Sequence, residues 1–161
     1  MSPGNRTRAG VVRAQAQPFD AGAGIERLRG GNPRIGAIAT FIGLMRDIND
    51  GEAVAGMTLE HYPGMTEKAL AGIVAQAQSR WDIDDTLVVH RVGALRPTDP
   101  IVLVVVSAAH RGPAFAACEF IMDYLKTEAP FWKKEATAAG TRWVEARDSD
   151  DAARERWTSP A

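Results

Sequence analysis

Apolar positions along the chain follow two periods, and the shorter one predicts four strands. Ile35 to Gly43 is apolar and partly β-branched, and Val54 to Tyr62 alternates between a drier and a wetter face. Thr86 to Leu95 and Pro100 to Ala109 are joined by Arg96-Pro-Thr-Asp99, which favours a hairpin-like connection. The run IVLVVV in the last strand predicts a central strand that is covered on both faces.

The longer, helical period predicts three helices. Asp20 is placed to cap a helix ending at Arg29, and Thr66 is placed to cap a second one. Ala114 to Thr127 carries one apolar stripe, and Pro130 ends this helix because proline lacks a donor and clashes with the preceding turn. Strands that alternate with helices indicate an α/β or α+β domain, and the hairpin requires part of the sheet to be antiparallel.

The remaining segments are polar. Residues 46–52 form a loop with turn chemistry at Asn49-Asp-Gly51, and Thr141 to Arg147 is predicted as a last short strand. Residues 1–17 show no periodicity and are predicted to be a disordered extension, the alternative for this arginine-bearing, acid-free segment being an organelle transit peptide. The expected organisation is therefore one domain over residues 18–148, followed by a polar tail over residues 149–161.

Composition and charge limit the kinds of partner that can be expected for this chain. The chain has 161 residues, 45% of them hydrophobic, with a formal net charge of −1. Any anion site must therefore be local, and neither nucleic acid nor a membrane surface is expected as a partner. The lone Cys118 excludes a disulfide within one chain, and no apolar run approaches the ~20 residues that span a bilayer. We expect a cytoplasmic protein.

Two lysines flank the predicted end of the last helix. Lys126 lies on the helix and Lys133 follows Pro130, so the chain bends between them. A bend allows two ammonium groups to converge, and converging lysines bind phosphate and depress each other's pKa. The alternative is a solvated basic turn whose aromatic neighbours merely anchor it.

A second candidate anion site is His110-Arg111, where a buried strand passes into a helix. Arginine offers a bidentate fork to phosphate, and helix N-terminal amides favour anions. The alternative is that His110 covers the core and Arg111 points to water. Arg46, after the first predicted strand, is a weaker candidate because surface arginines are common.

The sequence gives little support for a metal site, for the common nucleotide-binding and hydrolase motifs, or for a cysteine nucleophile. The three histidines are scattered with no metal-ligand spacing, so no metal or cofactor is predicted. No Rossmann, P-loop or nucleophile-elbow motif is present. Cys118 falls in the apolar stripe of its helix, which favours a packed thiol over a nucleophile.

Taken together, several motifs resemble one family, the large catalytic subunit of molybdopterin synthase (the MoaE family). They occur in the family's order between about Gly36 and Trp157. The matching segments are LEHYPGMTEKAL (59–70), HRVG (90–93), AHR (109–111), FIMDYLKT (120–127), APFWK (129–133) and WVEARD (143–148).

The resemblance implies an α/β hammerhead fold with an additional antiparallel subdomain. It also implies a sulfurtransferase that converts cyclic pyranopterin monophosphate (precursor Z) to molybdopterin in molybdenum cofactor biosynthesis. The two sulfurs come from the C-terminal Gly-Gly thiocarboxylate of a small ubiquitin-like subunit. The large subunit forms a homodimer within a heterotetramer.

The resemblance also assigns site residues. Lys126 corresponds to the family's essential lysine and Lys133 to a second catalytic one, while His110 and Arg111 correspond to substrate contacts that are partly supplied across the dimer. Phe41 corresponds to an aromatic residue near the channel for the partner's tail. Further substrate-binding positions implied in this way are Leu44, Met45, Arg46, Lys134, Glu135 and Arg147. The family often has glycine where Asp47 follows Arg46, which leaves the conformation of this loop open.

Two other classes remain open on residue types alone. One is a non-catalytic adaptor that grips a ubiquitin-like tail, which would need no phosphate site. The other is a phosphoesterase using the same cations, against which the missing metal-ligand spacing counts.

Overall fold

A computed structural model describes residues 10–144 and 148–158, which fold into two sheets and four helices. The strands are β1 (Val11–Gln15), β2 (Ala37–Leu44), β3 (Ile48–Asn49), β4 (Glu52–His61), β5 (Asp85–Arg91), β6 (Gly93–Leu95), β7 (Pro100–Ala108), β8 (Phe131–Thr137) and β9 (Gly140–Val144). The helices are α1 (Ala21–Arg29), α2 (Met65–Arg80), α3 (Arg111–Glu128) and α4 (Asp148–Glu155).

The first sheet has the order β1-β5-β7-β2, with β7 antiparallel to both neighbours. Val104 and Val106 on β7 face the core cluster shared with α2 and α3, whereas Leu103 and Val105 face the cluster that includes Leu28 of α1. The prediction of a central strand covered on both faces is confirmed. The mixed α/β class is confirmed as well, because helices pack on both faces of this sheet.

The second sheet is antiparallel and curls beside the first. It has the order β3-β4-β8-β9, and β6 also pairs with β4. The prediction of one strand from Thr86 to Leu95 was wrong, because β5 stays in the first sheet and β6 enters the second. The chain changes direction at Gly93, where φ is +86°, a conformation that glycine adopts without strain.

The polar segment after β2 forms a tight hairpin. Asp50 and Gly51 connect β3 to β4 with φ values of +52° and +76°, the signature of a turn whose twist suits antiparallel strands. The turn predicted at these residues is confirmed. The loop that contains Arg46 lies against the start of β7, where Met45 N donates to the carbonyl of Asp99 at 2.9 Å.

The first two predicted helices differ in their caps. Asp20 caps α1 as predicted, since its Oδ1 accepts from Ala23 N at 3.0 Å. The prediction that Thr66 caps α2 was wrong, because Gly64 occupies the cap position. The fully buried Thr66 Oγ1 accepts from Tyr62 N at 3.1 Å and donates to the carbonyl of Pro130 at 3.2 Å. Thr66 therefore joins the start of α2 to the break after α3.

Both predicted tails contain ordered elements. Val11 and Val12 begin β1, which runs parallel to β5, so the expectation of disorder is wrong for these residues, whose apolar side chains pack beside the first sheet. Residues 1–9 lie outside the described part of the chain. The expected polar tail forms α4, which packs on α3. No helix among the described residues is long and apolar enough to cross a membrane.

Trp157 fixes the C-terminal segment to the core. Its ring makes edge contacts with Trp81 at 5.4 Å and with Phe120 at 5.7 Å between centroids, and its Nε1 donates to Asp123 Oδ2 at 2.6 Å. A polar tail thus closes over the aromatic side of the first core cluster through one large side chain.

Replacing Trp157 with Ala should lower the free energy of unfolding by about 2–3 kcal/mol, because a half-buried indole and its hydrogen bond are lost. Urea denaturation measures this change. The matched control is Trp143→Ala, since this ring is 57% exposed, and it should cost less than about 1 kcal/mol. Equal losses for the two variants would show that α4 is not anchored in this way.

Candidate active site

A cavity of about 360 Å³ lies between the two sheets at the C-terminal end of α3. Its polar lining includes Lys126 from α3, Lys133 and Glu135 from β8, and His90 from β5. Strand β4 contributes an apolar wall through Val54, Met57 and Leu59. The cavity therefore combines cationic groups with a dry surface on one side.

The two lysines reach this cavity from different elements. Lys126 lies in the last turn of α3, and the chain leaves the helix at Ala129, whose ψ of 135° is extended. Phe131, Lys133 and Glu135 alternate along β8 and share one face, opposite Leu59 and Met57 in register. The bend at Pro130 thus brings Lys126 and Lys133 to the same cavity, as the sequence predicted.

The segment that ends β2 supplies four more of the predicted positions. Phe41, Leu44, Met45 and Arg46 all line the cavity. Met45 is buried, whereas Leu44 and Arg46 are exposed at the mouth. Arg46 therefore adds a third cation that remains accessible to solvent.

Glu135 and Lys134 point in opposite directions although they are adjacent. Glu135 is buried at 2% exposure, and its Oε1 accepts a hydrogen bond from Asn49 Nδ2 on β3. Lys134 is on the other face of β8, where its Nζ lies 5.5 Å from the centroid of the Trp143 ring. The structure therefore separates Lys134 from the cavity that Lys133 and Glu135 line.

His110 and Arg111 lie at the opposite end of α3 from Lys126. Lys126 lies fifteen positions after Arg111 on the helix, which corresponds to about 22 Å along the axis at 1.5 Å per residue. Both residues are exposed, and neither lines the cavity. Within one chain they do not join the lysines. Arg147, the remaining predicted position, lies outside the described residues.

His90 is a cavity residue that the sequence reasoning missed. Its ring stacks on Phe131 with centroids 3.9 Å apart, and its Nδ1 lies 2.8 Å from the carbonyl oxygen of Arg91. Burial lowers the pKa of His90 to about 4, and the charges of Lys126 and His61 act in the same direction, although the bond to Arg91 opposes them. The available signal was a titratable residue inside the apolar strand β5.

A second cavity of about 620 Å³ lies between β2 and α3. It shares Phe41, Lys126 and Asp150 with the first, so the two meet beside Lys126. Cys118 also lines it but belongs to the core, and burial, with a smaller effect of Glu119, raises the pKa of its thiol to about 11. The predicted packed thiol is confirmed, and it stays protonated at neutral pH.

Metal ligands do not cluster in residues 10–144 and 148–158. No group of three His, Cys, Asp or Glu side chains in these ranges is arranged to hold a metal ion.

Comparison with known proteins defines the class of protein. The family model described as MoaE protein matches residues 14–128, and the chain belongs to this family. The molybdopterin synthase catalytic subunit of Ralstonia nicotianae is 66% identical over 147 residues, which cover 91% of this chain and 84% of that protein. The resemblance inferred from the sequence motifs is confirmed.

Solved structures share the fold. The molybdopterin biosynthesis MoaE protein from Burkholderia ambifaria is 57% identical with a TM-score of 0.80, covering 94% of this chain and 99% of that one. A chain in the complex of subunits 1 and 2 of the molybdopterin-converting factor from Helicobacter pylori has a TM-score of 0.69 at 16% identity, covering 84% and 91%. At that identity the second comparison shows the fold alone.

The buried His90 makes stability depend on pH in a defined direction. The ordinary pKa of 6.5 applies in the unfolded chain, and the folded value is about 4. Between these values the unfolded chain binds more protons, so acidification favours unfolding. From pH 7 to 4.5 this group should remove about 2–3 kcal/mol of stability, at about 1.4 kcal/mol per pKa unit.

Urea denaturation of the wild type and of the His90→Gln variant at both pH values isolates this contribution, because the carboxylates are common to both proteins. The variant should lose less stability on acidification than the wild type. An identical loss in both proteins would show that His90 titrates normally.

Proposed function

We propose that this chain is the sulfur-transferring subunit of a molybdopterin synthase. It converts cyclic pyranopterin monophosphate to molybdopterin with sulfur from the C-terminal thiocarboxylate of a small ubiquitin-like subunit, in the cytoplasm. The observation that carries the proposal is the convergence of Lys126 and Lys133 on one cavity. Membership of the MoaE family and the names of its relatives support the reaction.

Two anionic partners must meet in this reaction. The substrate carries a cyclic phosphate, and the thiocarboxylate that donates the sulfur is also negatively charged. Lys126, Lys133 and Arg46 supply cations from three separate elements, so charge can be neutralised on more than one side. Glu135 and Asp150 add two carboxylates, and Asn49 donates a hydrogen bond to one oxygen of Glu135.

The reaction also requires proton transfers. Opening the cyclic phosphate and losing water both move protons, and a lysine held at the mouth of a partly apolar cavity is suited to donate and accept them. Lys126 is the group we assign to this role, because it lies where the two cavities meet. Cys118 is not required, since the sulfur arrives on the partner.

The second cavity is the proposed path of the partner's tail. Phe41, Phe115 and Met122 give it an apolar lining, and it leads to Lys126. A Gly-Gly terminus has no side chains, so its backbone can approach the lining of this cavity closely. The related H. pylori factor is a complex of two subunits, which supports a small partner, and we propose a homodimer within a heterotetramer here.

A dimer would explain how His110 and Arg111 can contact the substrate. These residues lie about 22 Å from Lys126 along α3, so they can act on the same substrate only from a second copy of the chain. We propose that they contact the substrate phosphate across the dimer. Lys134, which faces away from its own cavity, is not needed for this role, and Arg147 remains a proposed contact.

A tail-gripping adaptor is the competing function. An adaptor needs the second cavity but not a cationic first cavity joined to it. The convergence of three cations beside the proposed tail path therefore favours catalysis.

Replacing Lys126 with Ala should abolish dithiolene formation, by at least about 10²-fold, because both the local charge and the proton-transfer group are lost. Product is scored after incubation with precursor Z and thiocarboxylated partner. Lys68→Ala is the matched control, since this lysine is exposed on α2, and it should turn over normally. Near-normal turnover by a folded Lys126→Ala variant would contradict the catalytic role of Lys126.

Mixed dimers test whether the site is shared. Lys126→Ala and Arg111→Ala homodimers should both be inactive. A heterodimer of the two variants contains one site with Lys126 and Arg111 both intact, so it should recover about half of the wild-type rate per dimer. Absence of recovery in a purified heterodimer would contradict a site built from two copies.

A further inference from the structure

The ring of His90 is held on its edge and on one face. Nδ1 lies 2.8 Å from the carbonyl oxygen of Arg91. Because a carbonyl oxygen only accepts, Nδ1 must carry the hydrogen in this contact. The stack on Phe131, with an angle of 20° between the planes, covers one face of the ring. The orientation of the imidazole is therefore fixed from two directions.

The second ring nitrogen is left as an acceptor. A neutral imidazole with its hydrogen on Nδ1 has a lone pair on Nε2. The charges of Lys126 on α3 and His61 on β4 act on the ring, and the other charged groups of the cavity that His90 lines are Arg46, Lys133, Glu135 and Asp150. Burial of the ring and the charges of Lys126 and His61 all disfavour a second proton, so the Nε2 acceptor persists at neutral pH.

Lys126 complements this acceptor. Its ammonium has three donors on a flexible four-carbon chain, and among the described residues it has no hydrogen bond or ion pair. Lys126 and His90 line the same cavity, and the charge of Lys126 helps to lower the pKa of His90. A carboxylate at this position would also hold the ammonium, but it would repel the anionic ligands proposed above.

We propose that His90 is a positioning residue for Lys126, whose flexible side chain brings its ammonium to donate a hydrogen bond to His90 Nε2 in the free protein as well as in the reacting complex. A neutral acceptor fixes the direction of the ammonium without cancelling its charge. The consequence for turnover rests on the proposed function, whereas the hydrogen bond itself does not.

Two substitutions separate the roles of the two ring nitrogens: Nδ1, which anchors the ring by its hydrogen bond to the Arg91 carbonyl, and Nε2, which is the acceptor in the cavity. In His90→Asn the amide lies level with Nδ1, so the donor to the Arg91 carbonyl can be kept while the cavity acceptor is lost. In His90→Gln the amide reaches the level of Nε2, so the acceptor can be kept while the anchor is lost. If His90 had a purely structural role, the Asn variant would be more active than the Gln variant, because only the Asn variant keeps the hydrogen bond to the Arg91 carbonyl.

Steady-state kinetics with thiocarboxylated partner gives the first readout. The Asn variant should lose about tenfold or more in kcat with little change in KM, since a misdirected catalytic group affects the reacting state more than binding. The Gln variant should stay within about threefold of the wild type. An Asn variant with wild-type kcat, or a Gln variant as impaired as the Asn variant, would overturn the proposal.

Nuclear magnetic resonance of the free protein gives the second readout, which needs no turnover. Two-bond proton–nitrogen correlations should show that His90 carries its hydrogen on Nδ1. The side-chain signals of Lys126 should shift in the Asn variant and stay near their wild-type positions in the Gln variant. A hydrogen on Nε2, or unchanged Lys126 signals in the Asn variant, would refute the hydrogen bond.

The two readouts also distinguish the failure of each hypothesis. If the wild type forms no dithiolene, the proposed function fails, while the resonance experiment still decides the pairing of His90 with Lys126. If the Asn variant does not fold, the ring assignment in the wild type and the Lys126 signals in the Gln variant decide it.

Discussion

The site depends on the change of direction at Ala129-Pro130, where α3 becomes β8. Proline cannot continue the helix, and the extended conformation of Ala129 turns the chain into the second sheet. The buried hydroxyl of Thr66 holds this break by donating to the carbonyl of Pro130. Without the break, Lys126 and Lys133 would lie along one straight helix. With it, they approach one cavity from two elements.

Strand register then determines which side chains accompany the lysines. The two-residue period of β8 sends Phe131, Lys133 and Glu135 to the cavity and Lys134 to the other face. Phe131 in turn supports the His90 ring from β5. Both sheets therefore contribute to one site, and burial keeps its imidazole neutral beside its cations. This combination suits a reaction that gathers two anions and moves protons between them.

Local sequence patterns predicted which segments form helices and strands better than they predicted how those segments pair and which side chains share a face. The apolar run in β7, the cap at Asp20 and the break at Pro130 depend on neighbouring residues, and all three are confirmed. Whether Lys134 shares the face of Lys133 depends on β8 being a strand, which the basic, aromatic segment did not reveal. The role of β1 depends on pairing with β5, a long-range fact that no local spacing encodes. The distance of Arg111 from Lys126, by contrast, follows from the length of α3, which the apolar stripe had predicted closely.

In the proposed complex, the C-terminus of the small ubiquitin-like partner ends between Lys126 of α3 and Lys133 of β8. The most direct measurement is mass-spectrometric mapping of the amide bonds formed when a partner with an activated C-terminus reacts with this chain. We expect the bond on Lys126 or Lys133. Cross-links found exclusively on Lys68, the exposed lysine of α2, would contradict the account.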